Sequence, residues 1–126
     1  MIEFFQKPKL YMRDEGLYLE DILDSIDAIL RFLDNVEKEN FLASELLQSA
    51  VSQKFMVIGE AASKVSKELR GRYPEIDWKG LISFRNVLIH FYFGLDLEIV
   101  WDTTQNRLSK LKTEIAKILL EDFPLP

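Results

Sequence analysis

The chain contains no cysteine and a single histidine, His90, among its 126 residues. Without cysteine there is no disulfide framework, no thiolate nucleophile and no zinc site built on sulfur. With one histidine there is no multi-histidine metal site within one subunit, so no metal ligands and no cofactor are expected. No run of about 18 apolar residues occurs, which leaves no transmembrane helix and no membrane partner to expect. No stretch shows the Val/Ile/Thr alternation of a β-strand, and neither an internal repeat nor a low-complexity tract is present. The first residues, Met1 to Pro8, are too short and too polar for a signal peptide. These absences leave one soluble domain over residues 1–126, expected in a reducing, cytoplasmic compartment.

What is present is an ordinary globular composition, 48% apolar and 29% charged, with a net charge of −5. An acidic total argues against broad, nonspecific binding of nucleic acid. The charges are unevenly spread, however. Residues 14–39 carry nine acids against Arg31 and Lys38, a local charge of −7. Residues 64–85 carry Lys64, Lys67, Arg70, Arg72, Lys79 and Arg85 against three acids, a local +3. A patch of that sign can hold a phosphate backbone, which makes Arg70, Arg72 and Lys79 candidates for RNA binding. Two solvated helix faces of opposite sign account for the same distribution without any ligand.

Helical spacing runs through most of the chain. Residues 1–13 show no clear period and read as an irregular arm. From Leu17 onward, Leu19, Ile22, Ile26, Ile29 and Leu33 form one apolar face, with an end near Asp34-Asn35. Ser44 is placed to cap a second helix, whose seam of Leu47, Val51, Phe55, Ile58, Ala62, Val65 and Leu69 ends at Gly71. Gly59, Ala61 and Ala62 are small residues in mid-helix, as expected where another helix crosses closely. A third helix begins near Asp77 and is apolar nearly all round, so it is expected to be the central, most buried element, with Gly94 ending it. Asp96 caps a fourth, with its seam at Val100, Thr104, Leu108, Leu111, Ile115 and Ile118, and residues 120–126 form a tail. Trp78 and Trp101 read as core anchors. The fold class is all-α, an antiparallel four-helix bundle.

The third helix carries the chemistry. Lys79, Ser83, Asn86 and His90 lie within about 60° of one another at 100° per residue, a polar stripe on an apolar helix. Arg85 and Tyr92 share a face roughly 140° away from His90. A regular helix therefore cannot aim Arg85 and His90 at one point. Either the helix is irregular from Ile89 onward, or Arg85 reaches round, or two chains contribute; an irregular end completed by a partner chain is the favoured reading. Each residue also has a plain explanation. His90 alone reads as a satisfied core histidine, Arg85 as the ion-pair partner of an acid on the first helix, and Tyr92 as an interior phenol. Burying Arg85, Asn86 and His90 together is harder to explain in this way, because unpaired buried polar groups cost several kcal/mol.

The spacing Arg85-x-x-x-x-His90-x-Tyr92 resembles the signature of the HEPN superfamily, and of its HepT-like branch in particular. Ile58-Gly59-Glu60-Ala61-Ala62, Tyr73-Pro74, Trp78, Arg85-Asn86, Asp96 and Val100-Trp101 follow the same succession, from about Leu17 to Leu119. The resemblance implies a small helical domain that dimerises around the third helix, as a homodimer or an assembly of dimers. It implies a metal-independent endoribonuclease, with Arg85 and His90 catalytic and Asn86 and Tyr92 supporting. It further implies the toxin of a toxin–antitoxin pair of the type II or VII kind, neutralised by a minimal nucleotidyltransferase that attaches AMP to Tyr92. The alternatives are a non-catalytic HEPN binding subunit of a nucleotidyltransferase pair, or a purely structural helical bundle.

Overall fold

The computed structural model describes residues 14–125, so the N-terminal arm lies outside the described residues. Those residues form seven α-helices and no strand: α1 (Glu15–Phe32), α2 (Lys38–Ala43), α3 (Glu45–Lys64), α4 (Lys67–Arg72), α5 (Trp78–His90), α6 (Leu97–Asn106) and α7 (Leu108–Asp122), with a 3-10 turn at Tyr92–Gly94. The all-α bundle expected from the apolar spacing is present. α1, α3, α5 and α7 are its main members, and α2, α4 and α6 are short helices between them.

The starts of α1, α3, α5 and α6 follow from their own capping residues. Asp14 accepts the Gly16 N–H, Ser44 the Leu47 N–H, Asp77 the Gly80 N–H, and Asp96 the N–H groups of Glu98 and Ile99. Each cap satisfies donors that the first turn leaves unpaired. α1 closes through Asn35, whose φ of 56° lies in the left-handed region that asparagine tolerates.

Two helices are shorter than their apolar seams. The second breaks after Lys64, where Val65 is extended and Ser66 caps a new helix by accepting the Leu69 N–H. Glu15, at the start of α1, takes the Ser66 N–H. Gly71 therefore lies inside α4 and does not end α3. The fourth kinks at Arg107, although the Arg107 N–H still reaches Thr103 and Leu111 still reaches Arg107. Its seam survives the kink: Val100, Thr104, Leu108, Leu111, Ile115 and Ile118 are all buried. α7 runs on to Asp122, so the tail begins later than residue 120.

The helices lie in the order α7, α1, α3, α5, with α1–α3 and α3–α5 the most extensive contacts. Neighbours are antiparallel. Glu15 of α1 meets Ser66, two residues past the end of α3, and Asp27 meets Lys112 near the start of α7. Gly59 of α3 lies against Arg85 while Ser49 lies against Tyr92. Leu19, Ile22, Ile26 and Ile29 of α1 meet Val51, Phe55, Ile58 and Ala62 of α3 in the core. Phe41 stacks at 5.4 Å on Trp101, and Phe55 meets the Phe84 edge at 5.0 Å.

The expectation that the third helix is the most buried element is wrong. α5 occupies the end of the row, and only Trp78 and Leu88 in it are buried. Leu81, Ile82 and Phe84 are partly covered, whereas Val87 and Ile89 are exposed. Apolarity on every side made α5 look central; within one chain it has α3 on one side and little on the others.

Candidate active site

The Arg85 to Tyr92 stretch occupies the last turns of α5 and the turn that follows. α5 ends at His90, four residues before Gly94, and Phe91 leaves the helix at φ −131°. The helix is regular through His90 and becomes irregular only at Phe91, so the expected irregular end comes too late to change the relative direction of Arg85 and His90.

Arg85 is the best held of the four side chains. Gly59 lies directly beneath it: a Cβ there would run into the Arg85 Cβ and come within 2.8 Å of the Leu81 carbonyl oxygen. Glycine thus sets the separation of α3 and α5, and the stem of Arg85 fills the notch. The side chain is only 17% exposed, and its Nη1 donates to Glu60 Oε2. Its Nε donates to Asn86 Oδ1 at 2.9 Å. The ion pair predicted with an acid of the first helix forms instead with Glu60 of α3. Tyr18, Gln53, Met56, Val57 and Ile89 help line a pocket of about 380 Å³ at this guanidinium.

His90 is exposed, not a satisfied core histidine, and its ring has no hydrogen-bonding partner among the described residues. Asn86 is exposed beside it, as are Lys79 and Ser83, so the polar stripe faces outward. Tyr92 is 38% exposed, not interior, and its hydroxyl lies 3.3 Å from Ser49 Oγ of α3. No hydrogen bond joins Arg85 to His90 within one chain; Arg85 engages Glu60 of α3 and Asn86.

At the other end of α5, Lys79 and Arg70 border a cleft of about 490 Å³ together with Lys67. Glu75 and Asp77 in the same cleft reduce its positive charge. Arg72 does not line it and pairs instead with Asp122 at 3.3 Å. Trp78 is buried as expected, its Nε1 donating to the Tyr73 carbonyl at 3.0 Å, while Trp101 is only partly covered. Tyr73 fastens this loop to the end of α7, with its hydroxyl 2.9 Å from Glu121 Oε2 and 3.0 Å from Asp122 Oδ2. Burial first, then those hydrogen bonds and charges, hold the Tyr73 phenol well above its ordinary value.

Sequence reasoning gave no role to Glu60, Ser49 or Lys67. For Glu60 a signal was available: it follows the glycine at the helix crossing, so it must flank whatever α5 places there.

Comparison with known proteins finds several relatives of the whole domain. A putative RNase of Methanocaldococcus jannaschii is 40% identical over 107 residues, 85% of this chain and 88% of that protein. A probable ribonuclease HepT of Thermococcus cleftensis is 35% identical over 101 residues, covering 80% and 92%. A putative RNase of Caldanaerobacter subterraneus is 30% identical over 111 residues, covering 88% and 99%. No solved structure matches significantly. The family model described as Ribonuclease HepT-like matches residues 22–118, which contain Glu60, Arg85, Asn86, His90 and Tyr92, and the chain belongs to that HepT-like family.

Proposed function

We propose that this chain is an endoribonuclease that cleaves RNA without a metal ion, acting as a homodimer or an assembly of dimers built around the end of α5. The observation that carries the reading is the pairing of a confined arginine with an exposed, unpartnered histidine at one helix end. RNA supplies its own nucleophile, the 2′-hydroxyl, which attacks the adjacent phosphorus as the 5′-oxygen leaves. The reaction then needs a group to take one proton, a group to give one, and a cation for the charge that builds on phosphorus. His90 serves the proton transfers, and Arg85, permanently charged and fork-shaped, serves the phosphate. One chain has one histidine, so separate acid and base roles call for two copies across a two-fold axis. The cluster of Lys67, Arg70 and Lys79 supports a role in holding the RNA backbone farther along.

The same reading makes the chain the toxin of a cytoplasmic pair whose partner is a minimal nucleotidyltransferase. Tyr92 is the acceptor: its exposed hydroxyl takes AMP, whose phosphate competes for Arg85 and whose base fills the cleft. Intact-mass spectrometry after incubation with ATP and such a partner should show one added AMP, lost in Tyr92→Phe.

Cleavage itself is tested with single-stranded RNA in EDTA, where a 2′,3′-cyclic phosphate end is expected. His90→Ala and Arg85→Ala should each lower the rate by about a hundredfold or more while circular dichroism is unchanged. Activity that vanishes in EDTA and returns with magnesium would sink the metal-free mechanism.

A further inference from the structure

Glu60 touches Arg85, the cation proposed to bind phosphate, yet the Arg-His-Tyr motif gives it no task. It stands on α3 immediately after the glycine that admits α5, and its side chain is 55% exposed. A guanidinium carries five N–H groups in one plane. The Nε–H of Arg85 goes to Asn86 and one Nη1–H goes to Glu60. Two bonds on separate nitrogens fix both the plane of the group and its rotation within that plane. About three N–H groups stay open on the two terminal nitrogens, which suits them to a phosphate. The base of the stem packs against Gly59, where an added Cβ would meet both Arg85 Cβ and Cγ.

Stability alone is a poor reason for this contact. The pair is open to solvent at its carboxylate end, Glu60 being 55% exposed, and ion pairs near a surface contribute only about 1 kcal/mol. Glu60 also has a second cation within reach, Lys64 Nζ at 3.8 Å one turn on, which balances its charge without Arg85.

We infer that Glu60 is a positioning residue for Arg85, holding the guanidinium at a fixed angle so that its open N–H groups meet the incoming RNA phosphate. The inference rests on the ribonuclease reading and deepens it. An arginine already oriented needs no rearrangement as charge develops on phosphorus, so the benefit falls on turnover. The charge of Glu60 acts the other way on binding, because a carboxylate beside the phosphate repels it. Turnover and affinity therefore separate when Glu60 is changed.

The test uses the full chain, a single-stranded oligoribonucleotide, and the variants Glu60→Ala and Glu60→Gln. Glu60→Ala should lower kcat by about tenfold or more, while KM stays level or falls. Glu60→Gln keeps an acceptor for Nη1, so kcat should return to within about threefold of wild type, with KM reduced. Both should melt within about 2 °C of wild type. Nitrogen-15 spectra supply a readout independent of activity: hindered rotation should resolve the Arg85 Nη1–H signal in wild type, and Glu60→Ala should average it. A kcat within twofold of wild type in Glu60→Ala overturns the inference, as does equal impairment of the two variants or an unchanged Nη1 signal. Wild-type protein that leaves RNA intact, or Arg85→Ala that cleaves normally, overturns the ribonuclease reading instead, and the spectra still decide whether Glu60 holds Arg85.

Discussion

Arg85 and His90 are five residues apart and differ in almost every physical respect. Arg85 is confined by a glycine notch, a carboxylate and an amide, so the fold has already spent its rotamer freedom. His90 is exposed and has no partner among the described residues, so its orientation waits on whatever covers the end of α5. A fixed cation beside an adjustable proton carrier suits a reaction in which one group holds a phosphate and the other exchanges protons. Tyr73 illustrates a different residue-scale effect, on stability. Its phenol titrates higher in the folded chain than in the unfolded one, chiefly through burial and then through Glu121 and Asp122. A raised value stabilises the folded state fully below the unfolded value of about 10, and that contribution is lost as pH rises beyond it. Urea midpoints should therefore fall more steeply between about pH 9.5 and 11 in wild type than in Tyr73→Phe. Parallel slopes would mean that Tyr73 is not coupled to folding in this way.

At the scale of the element, α3 organises the site. Its Gly59 sets how closely α5 approaches, its Glu60 meets Arg85, and its Ser49 meets Tyr92. Gly59→Ala puts a methyl group into the Arg85 stem and the backbone of α5, where the carbonyl cannot turn aside. Overpacking of this kind costs about 1–3 kcal/mol, so a clearly lower urea midpoint is expected. A midpoint equal to wild type would show that α3 and α5 can separate without penalty. The caps at Ser44, Asp77 and Asp96 were legible in the sequence because a side-chain oxygen there serves backbone N–H groups only two or three residues away. The break at Ser66 was not, because the apolar seam runs on from α3 to Leu69. What stabilises the break is Glu15, 51 residues away, taking the Ser66 N–H.

At the scale of the molecule, the row α7, α1, α3, α5 ends on an uncovered helix. Val87, Ile89, Phe91 and Phe93 are exposed around the site, and Leu46 is exposed on α3, one turn before Ser49. Clustered apolar surface of this kind marks an interaction site. Under the homodimer proposal a second copy covers it and brings the second His90 that the mechanism requires. Phe93 is fully exposed, so Phe93→Glu should leave the monomer fold intact while introducing a charge at the interface. Sedimentation at micromolar concentration should then show a dimer for wild type and a shift toward monomer for the variant, with ribonuclease activity falling in step. A wild type that sediments as a monomer at this concentration removes the dimer from the mechanism.

The sequence by itself determined the four apolar seams, the caps at Ser44 and Asp96 and most of the buried faces, because these depend on spacing along the chain and on bonds within a turn. It also named the candidate residues Arg85, Asn86, His90 and Tyr92, which all fall within two helical turns and the bend after them. Only the tertiary structure decided where α5 lies. An all-round apolar helix looks the same in sequence whether its neighbours come from its own chain or from another. For the same reason His90, taken alone, read as a core histidine, and the fold leaves it at the surface. The partner of Arg85 also had to await the fold. Glu60 is 25 residues away, and the packing of α3 against α5 through Gly59 brings the carboxylate to the guanidinium.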